Sequence, residues 1–220
     1  LRAVPEGLAD LGPAIRLFKE AVRAAAGDGL LRFPNVRMLL EIPVGVFSPG
    51  LDDIAGHDER LRVFHADHFL GTAAGRNVCL RQARGRYVLF IDTSVEVTGD
   101  ILSRLREMLE DPTVGIAGRW GVVTNDIRSF DEATSSGDVD AVEGYLMAFR
   151  RDVLREVGFL DEKYRFYRHL DLDFSFAVRS RGYRAVVDQD LPLVRHEHVD
   201  WSRTPEEERE LRRAIVRTAI

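Results

Sequence analysis

The amino-acid sequence predicts an α/β fold, with a mostly parallel central sheet and helices on both faces. Apolar segments of strand length alternate with segments of helical periodicity, an order typical of parallel α/β sheets. The segment Arg86–Asp92 is almost continuously apolar, as expected of a strand buried on both faces of such a sheet. With 220 residues, the chain is predicted to form one domain over residues 1–220.

The first half of the chain begins with a predicted helix. Apolar residues recur at helical spacing over 11–26, and Gly27 is a natural stop. Val36–Phe47 predicts a strand that Pro43 bends or weakens. A short strand, a helix, the apolar strand, an amphipathic helix and another strand are then predicted at Leu61–Phe64, Thr72–Ala83, Arg86–Asp92, Gly99–Glu110 and Val114–Gly118.

The second half begins with residues 120–138, whose Ser, Gly, Thr and Asp content predicts a mobile loop of the kind that often forms a lid. A last helix is predicted over 204–218, because Thr204 can cap it, Pro205 suits its first position and Glu207 completes a capping box. Between these segments we predict a strand, two helices and two strands at Ala141–Phe149, Arg151–Val157, Leu172–Arg181, Tyr183–Val187 and Leu193–His196.

Composition excludes several classes of protein. The single cysteine, Cys79, excludes an internal disulfide and a Cys-rich zinc site and favours a reducing compartment. The net charge is −5 and no basic stripe is present, so we expect no nucleic-acid partner. No apolar run approaches the ~20 residues of a membrane span. All basic residues except Lys19 and Lys163 are arginines, which codon bias explains better than a need for planar cations.

Polar residues that end apolar strands are the first candidates for a site, because ligands of open α/β sheets bind at the carboxyl ends of the strands. Asp92 directly follows the strand Tyr87–Ile91. Its carboxylate could hold Mg²⁺ or Mn²⁺, which prefer oxygen ligands. An Asx-turn at the strand exit explains the same residue equally well.

Acidic and histidine pairs mark two further places. Asp171 and Asp173 begin a predicted helix, where acids also favour the helix dipole. Their spacing turns them about 200° apart, so only one can face a site, where it would suit a general base. His196 and His198 end the last strand on one face and could ligate a metal or be an ordinary surface pair.

Small residues open the helix at Gly71–Asn77. The pattern is not G-x-G-x-x-G, so a dinucleotide site is weakly indicated and close packing is the favoured explanation. Arg76 and Asn77 could add polar contacts to an anion.

Seven segments in succession carry a family resemblance. The chain resembles family 2 glycosyltransferases of the GT-A fold, closest to the rhamnosyltransferase-like branch, over about residues 35–200. The matching segments are Gly71–Asn77, Ala83–Asp92, Glu143–Arg151, Val157–Glu162, Asp171–Asp173, Arg181–Tyr183 and Arg195–His196.

The resemblance implies an inverting transfer of a sugar from a nucleotide-diphosphate donor to an acceptor hydroxyl. It places Asp92 at the first acid of the family's D-x-D motif, near ribose and a divalent metal, with Ser94 at the motif's last position. It matches Asp171 to the general base and His196 to a histidine that helps hold the diphosphate or the metal, Mg²⁺ or Mn²⁺.

The resemblance also implies contacts and partners. Arg76 and Asn77 fall in the segment that lines the donor pocket, and Gly144 and Tyr145 fall near the acceptor. The expected partners are a nucleotide-diphospho-sugar and a saccharide or lipid-linked acceptor, with homo-oligomer formation left open. We expect a cytoplasmic protein, with association at the inner face of a membrane through a partner or another segment as an option.

Departures from the family pattern lie on the donor side. Ser94 replaces an acid, Leu170 replaces the glutamate before Asp171, and Val46 stands where an acid would contact the nucleobase. The family's first strand is expected to be absent. Two hypotheses remain: an active transferase with weak metal dependence, which we favour, and a degenerate GT-A module that binds without turnover. A nucleotidyltransferase is disfavoured, because a Lys-bearing, Gly-rich phosphate loop is missing.

Overall fold

The computed structural model describes residues 38–42, 61–65, 70–92, 94–126, 129–165 and 169–196. The predicted helices at 11–26 and 204–218, Val46 and His198 lie outside these residues.

In chain order the strands are β1 (Met38–Ile42), β2 (Leu61–His65), β3 (Tyr87–Ile91), β4 (Val95–Val97), β5 (Val114–Gly118), β6 (Gly121–Val123), β7 (Asp131–Glu132), β8 (Gly137–Val139), β9 (Ala141–Val142), β10 (Leu146–Arg150), β11 (Arg184–Val187) and β12 (Leu193–Arg195). The helices are α1 (Thr72–Gln82), α2 (Leu102–Glu110), α3 (Leu154–Val157) and α4 (Leu170–Ser180), with a 3₁₀ turn at Arg151–Val153.

The central sheet has five strands in the order β3-β10-β5-β11-β8. Its strand directions are mixed, whereas the sequence predicted a mostly parallel sheet: β10 is antiparallel to both β3 and β5, and only β5 and β11 are parallel. Parallel neighbours usually need a helical crossover. Helix α4 precedes β11, but no helix is described between β5 and β10.

Helices pack on both faces of this sheet, which confirms the predicted α/β architecture. Along β10, successive side chains alternate between two buried clusters, as strand geometry requires. Met147 and Phe149 pack with residues of α1 and α4, whereas Leu146 and Ala148 pack with Leu105 and Leu109 of α2.

The predicted loop 120–138 contains short strands, which corrects that prediction. β6 pairs with β7 and β9, and β8 adds to the edge of the central sheet beside β11. The predicted strand Ala141–Phe149 is likewise divided, because residues 143–145 leave the extended ladder between β9 and β10. Two- and three-residue strands depend on their partners, so local composition does not predict them.

Helix boundaries differ from prediction by a few residues. Helix α1 and strand β5 lie where the sequence places them, whereas α4 begins at Leu170, two residues earlier than predicted, after His169 with a positive φ of 62°. Helix α2 begins after Asp100, whose carboxylate accepts the Ser103 N–H at 3.1 Å. None of the helices in the described ranges has the length and apolar character needed to cross a bilayer.

A buried arginine joins α2 to the sheet. Arg150, at the end of β10, donates to the carbonyl oxygens of Leu109, Asp111, Pro112 and Val114 at 2.7–3.4 Å. It therefore gives a donor to carbonyl groups at the helix end and in the following turn, although the Asp111 carbonyl also accepts the Val114 N–H at 3.1 Å.

Candidate active site

The exit of β3 forms an Asx-turn. The Asp92 carboxylate accepts the Ser94 backbone N–H at 2.9 Å and the Ser94 hydroxyl at 2.7 Å, both on Oδ1. The Asp92 N–H donates to the Tyr145 carbonyl at 2.9 Å, so the turn is anchored to the segment that precedes β10. The structural explanation of Asp92 is thus confirmed, and it leaves the predicted donor-side role of Asp92 and Ser94 open.

His196 lies beside the same turn. Its backbone N–H donates to the Ser94 carbonyl at 2.9 Å, because β12 pairs antiparallel with β4. The His196 Nε2 lies 2.8 Å from Glu96 Oε2. The backbone of His196 is therefore joined to the Asp92 turn through Ser94, while its side chain contacts a glutamate of β4, and its predicted role at the diphosphate or metal stays a prediction.

Asp171 lies in the first turn of α4 and, like Asp92, bonds to the segment that precedes β10. Its Oδ2 accepts the Gly144 N–H at 2.7 Å, and its Oδ1 accepts the Leu172 N–H at 3.0 Å. Burial raises the pKa of the Asp171 carboxyl, against the opposing effects of these two N–H groups and of Arg76. Asp173 accepts a bond from the Tyr164 hydroxyl at 3.3 Å, so the two acids have different partners, as their helical spacing predicts.

Two consecutive residues connect the predicted base to the predicted donor side. Gly144 donates to Asp171, and Tyr145 accepts from Asp92. A Cβ on residue 144 would lie 3.3 Å from Asp171 Oδ2, closer than most such contacts, so the carboxylate approaches the backbone where glycine stands. Hydrogen bonds thus bring the segments that carry Asp92, Asp171 and His196 next to one another at the carboxyl end of β3.

Glu143 is a further acidic side chain of this region that the sequence analysis missed. Burial raises its pKa to about 7, with nearby Asp171 and Glu132 acting in the same direction and Arg195 opposing them. Arg195 Nη1 lies 3.9 Å from Glu143 Oε2. The sequence predicts residue 143 as part of a single strand, Ala141–Phe149. Its only distinguishing feature there is a charge within an apolar run.

Arg195 and two aromatic rings form one wall of the region. The Arg195 guanidinium carbon lies 4.8 Å from the ring centroid of Tyr145 and 5.6 Å from that of Trp120. The two rings meet edge to face with centroids 6.0 Å apart. Such a wall offers stacking surface and positive charge to a polar ligand.

Arg76 and Asn77 on α1 are the two predicted donor contacts. Arg76 lies near Asp171, and its guanidinium carbon lies 4.9 Å from the ring centroid of Phe90. Asn77 is buried and bonds in both directions to the backbone of Leu160, at 2.9 and 3.1 Å, and to Glu162 at 3.0 Å. Packing accounts for Asn77, and its contact with a donor stays a prediction.

The described side chains of this region do not fit a metal held by them alone. Across the described ranges, no group of three His, Cys, Asp or Glu side chains is placed to hold an ion. One oxygen of Asp92 already accepts two bonds from Ser94, and His196 Nε2 contacts Glu96. Divalent hard cations need several oxygen ligands, so any ion would depend on oxygens that a bound nucleotide supplies.

Comparison with solved structures shows the fold. The chain is similar to "GalNAc-T7 with UDP, GalNAc and Mn2+" (13% identity, TM-score 0.67, 82% of this chain and 41% of that one). It is similar to S. aureus "TarS 1-349 in complex with UDP-GlcNAc" (17% identity, TM-score 0.65, 93% and 63%). It also resembles "Mannosyltransferase PcManGT from Pyrobaculum calidifontis in complex with GDP-Man and Mn2+" (20% identity, TM-score 0.61, 85% and 54%). The chain thus spans less than two thirds of the length of each.

These neighbours place the chain in the class of GT-A glycosyltransferase folds. The profile of the family described as Glycosyl transferase family 2 matches residues 50–183, more than half of the chain. The chain therefore belongs to glycosyl transferase family 2, which confirms the family resemblance. No curated protein matches it significantly.

Proposed function

We propose that the chain is an inverting glycosyltransferase that moves a sugar from a nucleotide-diphosphate donor to an acceptor hydroxyl. The observation that carries the proposal is the pair of adjacent backbone bonds from Gly144 to Asp171 and from Asp92 to Tyr145. They join a buried acid and a strand-end acid to two consecutive residues of one segment. Three similar structures were solved with UDP, UDP-GlcNAc or GDP-Man.

Asp171 is the proposed general base. Its raised pKa makes it a stronger base than an ordinary aspartate, and the Gly144 and Leu172 N–H groups fix its orientation. It would accept the proton of the acceptor hydroxyl as that oxygen attacks the anomeric carbon, while the diphosphate leaves on the opposite face. Gly144, Tyr145 and the neighbouring Trp120 are the proposed acceptor contacts.

The donor is proposed to lie between Asp92, Ser94 and Arg76, with His196 at its diphosphate. Asp92 is suited to accept bonds from ribose hydroxyls, and a protonated His196 would offer charge to phosphate oxygens. Because the protein supplies few metal ligands, we expect weak dependence on Mg²⁺ or Mn²⁺. A cytoplasmic location remains part of the proposal, and homo-oligomer formation stays open.

A thermal-shift panel of UDP-, dTDP- and GDP-sugars, with and without Mn²⁺, tests donor binding. A donor at a hundred times its Kd should stabilise the fold by about 2.7 kcal/mol, which raises the melting temperature by several degrees. A shift with one sugar nucleotide supports the transferase. No shift with any of them would favour the degenerate, non-catalytic module, which the replacement of an acid by Ser94 also suggests.

The proposed base is tested by Asp171→Asn, with Asp173→Asn as its matched control in the same helical turn. Release of nucleoside diphosphate from the best donor, with free sugars and water as acceptors, should fall by at least about 100-fold in Asp171→Asn. The control contacts Tyr164 and should keep its activity. Equal turnover in wild type and Asp171→Asn would remove Asp171 from the mechanism.

Metal dependence is tested by calorimetry with Mn²⁺ alone and then with Mn²⁺ plus the donor's nucleoside diphosphate. We expect no measurable heat with Mn²⁺ alone, because Ser94 and His196 are engaged with Asp92 and Glu96. Micromolar binding of Mn²⁺ without nucleotide would contradict the expected weak dependence.

A further inference from the structure

A groove of about 600 Å³ lies between the end of α1 and the segment that contains the 3₁₀ turn and α3. Among the described residues that line it, five are arginines and only Asp152 is acidic. The arginines are Arg81, Arg84, Arg86, Arg151 and Arg155. All five side chains are exposed. A chain with a net charge of −5 therefore concentrates positive charge on one small surface, which we call the arginine groove.

The described residues do not neutralise most of this charge. Arg81 pairs with Glu162 at 3.0 Å, and Arg151 donates to the Ala83 carbonyl at 3.3 Å. In the described part of the chain, Arg84, Arg86 and Arg155 have no carboxylate within ion-pair distance. Among the described residues these three exposed guanidinium groups thus have no acidic partner, although that of Arg86 lies 5.2 Å from the ring centroid of Tyr87.

An exposed aromatic side chain lies in the same groove. Phe159 is 47% exposed, and the Arg81 guanidinium carbon lies 5.3 Å from its ring centroid. Exposed aromatic rings next to arginines are typical of surfaces that lie at the headgroup level of a bilayer.

The groove is separate from the candidate active site. Arg86 precedes β3 and Asp92 follows it, so the five residues of β3 lie between them. At about 3.3 Å per residue, the two ends of the strand are roughly 17 Å apart. A partner on the groove would leave the region around Asp92 and Asp171 open.

We propose that the arginine groove is a docking surface for an anionic phospholipid bilayer. Guanidinium groups bind phosphate oxygens bidentately, which suits arginine better than lysine for this contact. A pocket for a small anion would enclose most of its ligand, whereas these five side chains are all exposed. A surface of phosphate headgroups contacts all of them at once and accepts the Phe159 ring between its lipids.

Vesicle co-sedimentation of the full chain, without sugar nucleotide, tests this proposal separately from the proposed transferase. We expect binding to phosphatidylcholine vesicles that contain a third of phosphatidylglycerol and none to pure phosphatidylcholine, with the binding weakened by salt. The variant Arg84→Ala/Arg155→Ala removes two unpaired charges and should lower the partition coefficient about 30-fold, at about fivefold for each arginine.

The matched control is Arg106→Ala/Arg181→Ala, which removes the same charge outside the groove and should bind like wild type. Phe159→Ser should lower the partition coefficient severalfold while circular dichroism shows an unchanged fold. Equal loss in the two double variants, or equal binding to neutral vesicles, would overturn the proposal. Binding of pyrophosphate or a single-stranded oligonucleotide, lost in Arg84→Ala/Arg155→Ala but without vesicle binding, would also overturn it.

Discussion

Glu143 should make the folded chain less stable as pH rises, and Glu143→Gln should remove most of that loss. Burial raises the pKa of the Glu143 carboxyl from an ordinary 4.5 to about 7. The folded state therefore holds this proton more tightly than the unfolded state. The stabilising contribution is complete below pH 4.5 and is lost as pH rises through 7.

The size of the effect follows from the two pKa values. At about 1.4 kcal/mol for each pKa unit, the full difference between the two pKa values changes the free energy of unfolding by about 3 kcal/mol. About 2.5 kcal/mol of this is lost between pH 5 and pH 8. Glutamine has nearly the same shape and no charge at any pH. The free energy of unfolding of Glu143→Gln should therefore fall much less over this range. The pH dependence that remains comes from Asp171, whose pKa is also raised.

Urea unfolding at several pH values between 5 and 8 measures this difference. The matched control is Glu110→Gln, because Glu110 lies on the surface of α2 with 55% of its side chain exposed and should leave the pH dependence unchanged. If the free energy of unfolding of Glu143→Gln falls with pH as steeply as that of wild type, Glu143 is not the buried acid that titrates near neutral pH.

Two further substitutions test the contacts that hold the site and the sheet. Arg150→Met removes the guanidinium donor from four carbonyl groups, of which that of Asp111 still accepts the Val114 N–H, and should lower the free energy of unfolding by about 3 kcal/mol. The exposed control Arg106→Met should change it by less than about 0.5 kcal/mol, and equal effects would contradict the proposed anchoring. Gly144→Ala places a Cβ 3.3 Å from Asp171 Oδ2 and should lower kcat by about 10- to 100-fold at a nearly unchanged melting temperature; full activity would show that the carboxylate position is not critical.

The sequence predicts those elements whose boundaries are set locally. Strand β3 is a continuous apolar run that ends at Asp92, and Asp92 closes its own Asx-turn with the following residues. Helix α1 opens on small residues and ends before Gly85. The separation of Asp171 and Asp173 also follows from helical geometry alone, and the structure gives them different partners.

The remaining features depend on contacts that are distant in sequence. Residues 141–149 form a plausible single strand, but Gly144 bonds to a carboxylate 27 residues later and Glu143 lies beside Arg195. The short strands β6 and β8 exist because β9 and β11 supply their hydrogen-bond partners. No local pattern reports such pairings, so the sequence analysis missed both Glu143 and the ordered part of residues 120–138.

Ser94 stands where the family resemblance implies an acid, and the structure shows how a serine stabilises the turn after β3. The serine hydroxyl donates to Asp92, and the Ser94 carbonyl accepts the His196 N–H. An acid at this position would lose that donated bond and bring a second negative charge next to Asp92. Serine therefore stabilises this turn without a cation. Two acids at positions 92 and 94 would repel each other and would need a cation between them. The same donated bond fixes the Asp92 carboxylate against Ser94, so the geometry that we propose for the donor does not require a metal to form.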